Sequence, residues 1–74
     1  MNSYTKIDYH LPGSGSMKLW ISDVQGKELM EVENGVKGGG NYTVQIPIQS
    51  LAPGVYLYHL LFEGRLISRR LSVY

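Results

Sequence analysis

The stretch that decides the fold is LAPGVY, from Leu51 to Tyr56, which has the form L-x-P-G-x-Y. Pro53 and Gly54 are residues typical of a turn, and Tyr56 lies just inside the apolar segment that follows them. A tyrosine at this position sends its hydroxyl back to a nearby backbone group and fixes the connection between two sheets. We therefore predict a tyrosine corner here, with Leu51, Gly54 and Tyr56 as its structural residues.

Alternation of apolar and polar residues on both sides of this turn predicts further strands, each with one buried face. Upstream of the turn the alternation occupies residues 5–11, 17–22 and 42–48. Downstream, in residues 66–74, Ile67, Leu71 and Val73 share one face with Arg69. We expect that face to turn toward the core.

Two segments depart from this simple alternation. Residues 27–32 have apolar side chains at both parities, which predicts a bulge or a strand at a sheet edge. The segment from Val55 to Phe62 is apolar at both parities except for His59, which predicts a central strand covered on both faces. Either Glu63-Gly64 or Gly64-Arg65 then turns the chain into the last strand.

Turn residues separate the predicted strands. Asp23 can form an Asx-turn and Gly26 tolerates a positive φ, so residues 23–26 should reverse the chain. The stretch from Asn34 to Asn41 contains Gly35 and the run from Gly38 to Gly40. We predict that this stretch is a flexible loop without regular structure.

Short strands at a spacing of about 8–12 residues, with turn residues between them, predict an all-β fold. The tyrosine corner narrows this prediction to an immunoglobulin-like antiparallel β-sandwich of six to seven strands. A chain of 74 residues has enough apolar side chains for one core and too few for two. We therefore expect residues 1–74 to form a single domain.

The composition argues against several classes of partner. Seven Lys and Arg stand against six Asp and Glu, and a formal charge of +1 creates no field that would steer the protein onto nucleic acid. The longest nearly apolar run, from Val55 to Phe62, is far shorter than the roughly 18 residues of a membrane-spanning helix. We predict no nucleic-acid binding and no membrane insertion.

The sequence offers little for catalysis or metal binding. There is no G-x-S-x-G elbow, and Asp8 and His10 lie two residues apart on the polar face of one predicted strand. The chain has no Cys, and His10 and His59 lack the H-x-x-x-H or H-x-H spacing of a zinc site. We predict no catalytic residues, no metal site and no cofactor.

Trp20 is the most unusual of the candidate contact residues. Strand parity places it opposite Leu19 and Ile21, on the face expected to contact solvent. One interpretation is an aromatic contact site for a partner or a sugar. The other is that neighbouring strands and lysine stems cover the indole.

Four segments match the pattern of a known family. They are TKIDYHLP (residues 5–12), LWISDVQGKEL (19–29), LAPGVYLY (51–58) and RRLSVY (69–74). In this order and spacing they resemble the type A C-terminal sorting domain of the bacterial type IX secretion system. The matching positions include Asp23 and Gly26 in the second segment, and Leu51, Gly54 and Tyr56 in the third.

The resemblance implies a secretion signal at the end of a larger exported protein, whose cargo domain lies N-terminal to it. It implies as partners an outer-membrane shuttle, a translocon and a sortase-like surface protease. The expected location is the periplasm in transit, and then the cell surface or the medium. An alternative of another class is a carbohydrate-binding or spacer module of immunoglobulin type, in which Trp20 and exposed tyrosines stack on sugar rings.

The last strand holds most of the predicted contact residues. A terminal strand with a free edge can join the sheet of a receptor, whereby backbone bonds supply affinity and alternate side chains supply selectivity. The same strand can also pair internally with residues 55–62, and the two roles are compatible. Together with Trp20, the predicted partner-binding residues are Arg69, Arg70, Leu71, Ser72, Val73 and Tyr74.

Overall fold

The computed structural model describes residues 4–74, which form six strands and no helix. The strands are β1 (Tyr4–Leu11), β2 (Gly15–Ser22), β3 (Glu28–Lys37), β4 (Gly40–Pro47), β5 (Gly54–Phe62) and β6 (Arg65–Val73). β1 and β4 form a two-stranded sheet, while the other four form a sheet of order β3-β2-β5-β6. Every pair is antiparallel. The predicted all-β class is confirmed, and the architecture is compatible with an immunoglobulin-like sandwich.

The core lies between the two sheets, on the apolar face that the alternation predicts. Leu19 and Ile21 of β2 are completely buried, and Ile7 and Ile46 from the small sheet pack in the same interior. Tyr9 and Tyr42 are direct cross-strand neighbours in the small sheet, with stacked rings 5.2 Å apart. Two adjacent clusters, which share Tyr9, Val32, Val44 and Tyr58, fill the space between the sheets.

β3 has both features that its mixed parity predicts. It is the edge strand opposite β6 in the large sheet. Its register with β2 shifts twice, between Leu19 and Trp20 and between Ile21 and Ser22. Such irregularities interrupt the ladder and twist the strand, which makes an edge a poorer template for another strand.

The prediction that residues 34–41 lack regular structure is wrong. β3 continues to Lys37 and β4 begins at Gly40, so only Gly38 and Gly39 lie outside strands. The residues from Asn34 to Lys37 pair in register with β2, and backbone pairing holds this part of the chain extended despite its glycines. At Gly39 an added Cβ would lie 2.9 Å from the Cα of Gly13, so close contact between two loops requires glycine there.

The prediction for β5 is half right. β5 is a central strand, as expected. Its outer face is not covered, because the sandwich has only two layers over the described residues. Val55 is 48% exposed and Leu61 37% exposed, whereas Leu60 on the inner face is 6% exposed.

Candidate recognition surface at the C-terminal strand

β6 occupies an edge of the large sheet. On one side it pairs with β5 along its whole length, from Arg65 opposite Phe62 to Val73 opposite Gly54. On its other side no strand of the described residues pairs with it. Unpaired N–H and C=O groups therefore line the outer side of β6, as they do on any edge strand.

The turn before β6 explains how the strand reaches this edge. Glu63 has φ of 45° and Gly64 has φ of 82°. Positive φ at both central residues is what a two-residue type I′ hairpin turn requires, and its twist matches that of the flanking strands. β6 is thereby held antiparallel to β5 with no intervening loop.

The side chains of β6 alternate between a buried and an exposed face only near the C-terminus. Leu71 and Val73 are 8% and 6% exposed, and they anchor the end of the strand in the core. From Arg65 to Arg70 every residue is exposed. The structure thus separates β6 into an anchored terminal part and a solvent-facing part.

The two arginines among the predicted partner-binding residues lie on opposite faces of β6. Arg69 is on the same face of β6 as Leu71 and borders a groove beside Ile67. Arg70 lies opposite Leu57, on the outer face of the sheet. Ser72 shares that outer face, opposite Val55, and Tyr74 is fully exposed just beyond the strand.

Trp20 is on the outer face of the same sheet, where β5 separates it from β6. Its ring stacks on His59 with centroids 5.0 Å apart, and Lys18 Nζ lies 4.9 Å from the indole centroid. Trp20 is therefore half-buried and already in contact with two side chains. The structure does not bring it into the group formed by residues 69–74.

His59 forms a polar network that the sequence patterns did not predict. Its Nε2 is 2.6 Å from the hydroxyl of Ser22, and its Nδ1 is 2.7 Å from the hydroxyl of Ser68. A neutral imidazole has one donor and one acceptor, and a hydroxyl can satisfy either. The position of His59 as the only polar residue within an apolar strand is the one sequence signal that could have indicated it.

Lys18 connects this face to β3. Its ammonium donates to Glu28 Oε1 at 2.6 Å and lies 4.0 Å from Glu31. The hydrogen bond to Glu28 raises the pKa of Lys18 above its usual value, so the side chain is charged at neutral pH. Its charge balances the acidic residues of β3.

Tyr56, Asp23 and Gly26 form hydrogen bonds at two connections between strands. Tyr56 donates its hydroxyl to the carbonyl oxygen of Ala52 at 2.5 Å, the bond of a tyrosine corner. Asp23 Oδ1 accepts the backbone N–H groups of Gln25 and Lys27, each at 2.9 Å. The backbone N–H of Gly26 donates to the carbonyl of Asp23 at 3.0 Å. The bonds of Asp23 fix the turn between β2 and β3, and the bond of Tyr56 fixes the connection from β4 in the small sheet to β5 in the large sheet.

The polar residues of β1 form cross-strand pairs with β4. Asp8 accepts the Thr43 hydroxyl at 2.7 Å, and His10 Nδ1 donates to Asn41 Oδ1 at 2.8 Å. Among residues 4–74 no three His, Asp or Glu side chains converge in a way that could hold a metal ion. The same residues contain no helix that is long and apolar enough to cross a bilayer.

The whole chain matches one protein family. The family model of the secretion system C-terminal sorting domain covers residues 1–74. The chain belongs to this family. Searches of the curated proteins and of the solved structures each found no match.

Membership gives the function of this sorting domain. It is a C-terminal sorting signal for type IX secretion, and it directs export to the cell surface or out of the cell. The family is not known to be catalytic. The carbohydrate-module alternative is not favoured, and the contacts of Trp20 with His59 and Lys18 leave less of its ring for a sugar.

Proposed function

We propose that the secretion machinery recognises this sorting domain at the free edge of β6, by addition of a strand from a receptor protein. The observation that supports this most directly is the position of β6, which pairs on one side only among residues 4–74 and is followed by a fully exposed Tyr74. Strand addition supplies affinity through main-chain bonds, and side chains at alternate positions supply selectivity. The anchoring of Leu71 and Val73 keeps the edge in place.

The charges on the two edges of the large sheet favour an acidic strand in the receptor. β6 carries Arg65, Arg69 and Arg70, and no ion pair within residues 4–74 involves any of them. β3, at the opposite edge, carries glutamates that Lys18 and Lys37 pair. Antiparallel pairing of two β6 strands would oppose like charges, which is destabilising. An acidic strand would instead meet complementary charge.

The two faces of such a pairing would be read by different arginines. Arg69 and Arg70 point to opposite sides of β6, so a receptor strand would meet one of them on each of its own faces. Ser72 and Tyr74 add polar contacts on and beyond the outer face. The proposed partner-binding residues are therefore residues 69–74. Trp20 lies on the same outer face, where β5 separates it from β6.

The further steps of this proposal come from the family. The receptor is an outer-membrane shuttle that meets the domain in the periplasm, after which a translocon passes the cargo and a sortase-like surface protease releases it. Residues 1–74 act as one domain, with the cargo N-terminal to it. We expect no metal or cofactor to take part.

The test is an export assay in a bacterium that has a type IX system. Residues 2–74 are fused to the C-terminus of a periplasmic reporter, which should then appear outside the cell. Replacing Arg69 and Arg70 by glutamate should leave the reporter in the periplasm. Lys27→Glu is the control: it reverses one exposed positive charge in the turn before β3, as each arginine replacement does in β6, and it should not affect export.

The controls separate recognition from folding. Deleting residues 71–74 should also block export, but it removes buried Leu71 and Val73, so the melting temperature of each variant is measured beside export. The arginine variant should melt like the wild type, because both side chains are exposed. Export by a folded variant with both arginines reversed would refute electrostatic recognition of β6.

A further inference from the structure

One side of β1 has no strand partner within residues 4–74, and it faces a groove inside the sandwich. The small sheet has two strands and the large sheet four, so part of the large sheet stays uncovered. β4 lies beside β3, where Val44 and Ile46 border the same recess as Met30 and Val32. The free side of β1 therefore faces β5 and β6. Between them is a groove of about 240 Å³.

The floor of this groove is apolar and partly exposed. It is formed by Tyr58 and Leu60 of β5 and by Ile67 of β6, with residues 8–10 of β1 along one side. Ile67 is on the same face of β6 as Leu71, which is 8% exposed, yet Ile67 is 50% exposed. The difference shows where cover from the small sheet ends. An isoleucine half in water beside an open strand edge is a surface that a further strand could bury.

Arg69 and Asp8 both border this groove, and they do not form an ion pair with each other. Arg69 lies along the groove, and no carboxylate of residues 4–74 forms an ion pair with that guanidinium. Asp8, the acidic residue that borders the groove, accepts a hydrogen bond from Thr43 on the neighbouring strand. A bound segment with a carboxylate could form the paired hydrogen bonds that a guanidinium favours.

We infer that this groove binds an extended acidic segment of another polypeptide, which adds to β1 as a third strand of the small sheet. Main-chain groups on the free side of β1 would pair with it. Side chains at alternate positions of the added strand would point toward the large sheet, and apolar ones would cover Ile67 and Leu60, while a carboxylate on that same face would reach Arg69. The site shares Arg69 with the β6 surface but lies on the inner face of the large sheet, beside β1, so it goes beyond the recognition proposed above.

Peptide binding followed by NMR tests this inference. The probe is the peptide acetyl-VTETVT-amide, whose valines and glutamate share one face of an extended strand, added to the ¹⁵N-labelled 74-residue chain, and the matched control has lysine in place of the glutamate. The glutamate peptide should shift the backbone amides of residues 6–10, 67 and 69. Its affinity should exceed that of the lysine peptide by about ten-fold, the size expected for one charge-assisted hydrogen bond.

Two variants make the outcome specific to the groove. Arg69→Glu should invert the preference, so that the lysine peptide binds more tightly. Ile67→Ser should weaken both peptides, and the exposure of Ile67 means that this variant should keep its fold. Three results would overturn the inference: no shift in β1 at roughly 5 mM peptide, equal affinity for both peptides, or shifts confined to β3. A fourth such result is a concentration-dependent shift of the amides of residues 6–10 without peptide, which would identify a second copy of the chain as the occupant.

The assay is independent of export. Loss of export with intact peptide binding would bear only on β6 recognition, and the reverse result would bear only on the groove. Because Arg69 belongs to both surfaces, single variants separate the two claims: Arg70→Glu should impair export and leave peptide binding unchanged, whereas Ile67→Ser should weaken peptide binding and leave export unchanged.

Discussion

Arg69 and Arg70 are neighbours in the chain but lie on opposite faces of β6, one beside the groove at Ile67 and the other opposite Leu57 on the outer surface. A basic pair on a helix or in a loop could bind a single acidic patch. On an edge strand the two side chains of such a pair point to opposite faces of the sheet, one on each side of the main-chain hydrogen bonds. The geometry therefore suits recognition by a strand better than recognition by a flat acidic surface.

The tyrosine corner should contribute measurably to stability. Tyr56→Phe removes the hydroxyl that donates to Ala52, and the expected loss in the free energy of unfolding is about 0.5–1.5 kcal/mol. Tyr4→Phe is the control, because Tyr4 is 53% exposed at the start of β1. Urea denaturation of both variants provides the measurement. Equal stability of the two variants would show that the Tyr56 bond contributes nothing.

The two serines that bond His59 should differ in importance. Ser22 is completely buried, whereas Ser68 is exposed and can be replaced by water. Ser22→Ala should therefore lower the free energy of unfolding by about 1–2 kcal/mol, and Ser68→Ala by less than about 0.5 kcal/mol. Trp20 fluorescence should follow the first change, since its ring stacks on His59. A greater loss in the free energy of unfolding for Ser68→Ala than for Ser22→Ala would contradict this expectation.

Neighbouring glycines should respond differently to an added methyl group. At Gly39 the new Cβ would lie 2.9 Å from Gly13 Cα, while at Gly38 the nearest atom is Ser14 Oγ at 4.0 Å. Gly39→Ala should lower stability by about 1–3 kcal/mol, because backbone must move to relieve the overlap. Thermal melts should place Gly38→Ala near the wild type. Similar melting temperatures for the two variants would mean that the loops do not touch.

The ion pair between Lys18 and Glu28 should give a pH-dependent contribution to stability. The hydrogen bond raises the pKa of Lys18 in the folded state above the ordinary value of 10.5. The stabilisation is then fully present below pH 10.5 and is lost as the pH rises through the higher folded-state pKa. We expect the stability difference between wild type and Glu28→Gln to shrink in that range.

Salt provides the control for this pair. Both side chains are exposed to solvent, so added NaCl should reduce the same difference at neutral pH. Urea titrations at several pH values and two salt concentrations measure it. A difference that grows above pH 10.5 would contradict the sign of the effect.

The sequence predicted the strands well where side chains alternate. Leu19 and Ile21 are buried at the parity that the pattern indicates, and parity also placed Arg69 on the face of Leu71. It failed for residues 34–37, because glycine carries no hydrophobic pattern and backbone pairing with β2 decides their conformation. It also overestimated the cover of β5, since the number of layers is not encoded in one strand.

The candidate site was predictable in composition and not in arrangement. Residues 69–74 were identified from the resemblance, but the separation of Arg69 from Arg70 matters only once β6 is known to be an edge. The groove at Ile67 depends on the two-stranded size of the small sheet, which follows from long-range pairing. His59, Ser22 and Ser68 come from three different strands, and no local sequence pattern predicts that both serines form hydrogen bonds with His59.

The central claim is that a receptor strand pairs with the free edge of β6. Hydrogen–deuterium exchange of the sorting domain, alone and with an outer-membrane shuttle of a type IX system, tests it most directly. The account predicts slower exchange for amides within residues 65–73 when the shuttle is present, with no change in β3 at the opposite edge. Unchanged exchange in β6 together with protection of β3, in a complex that forms, would contradict it.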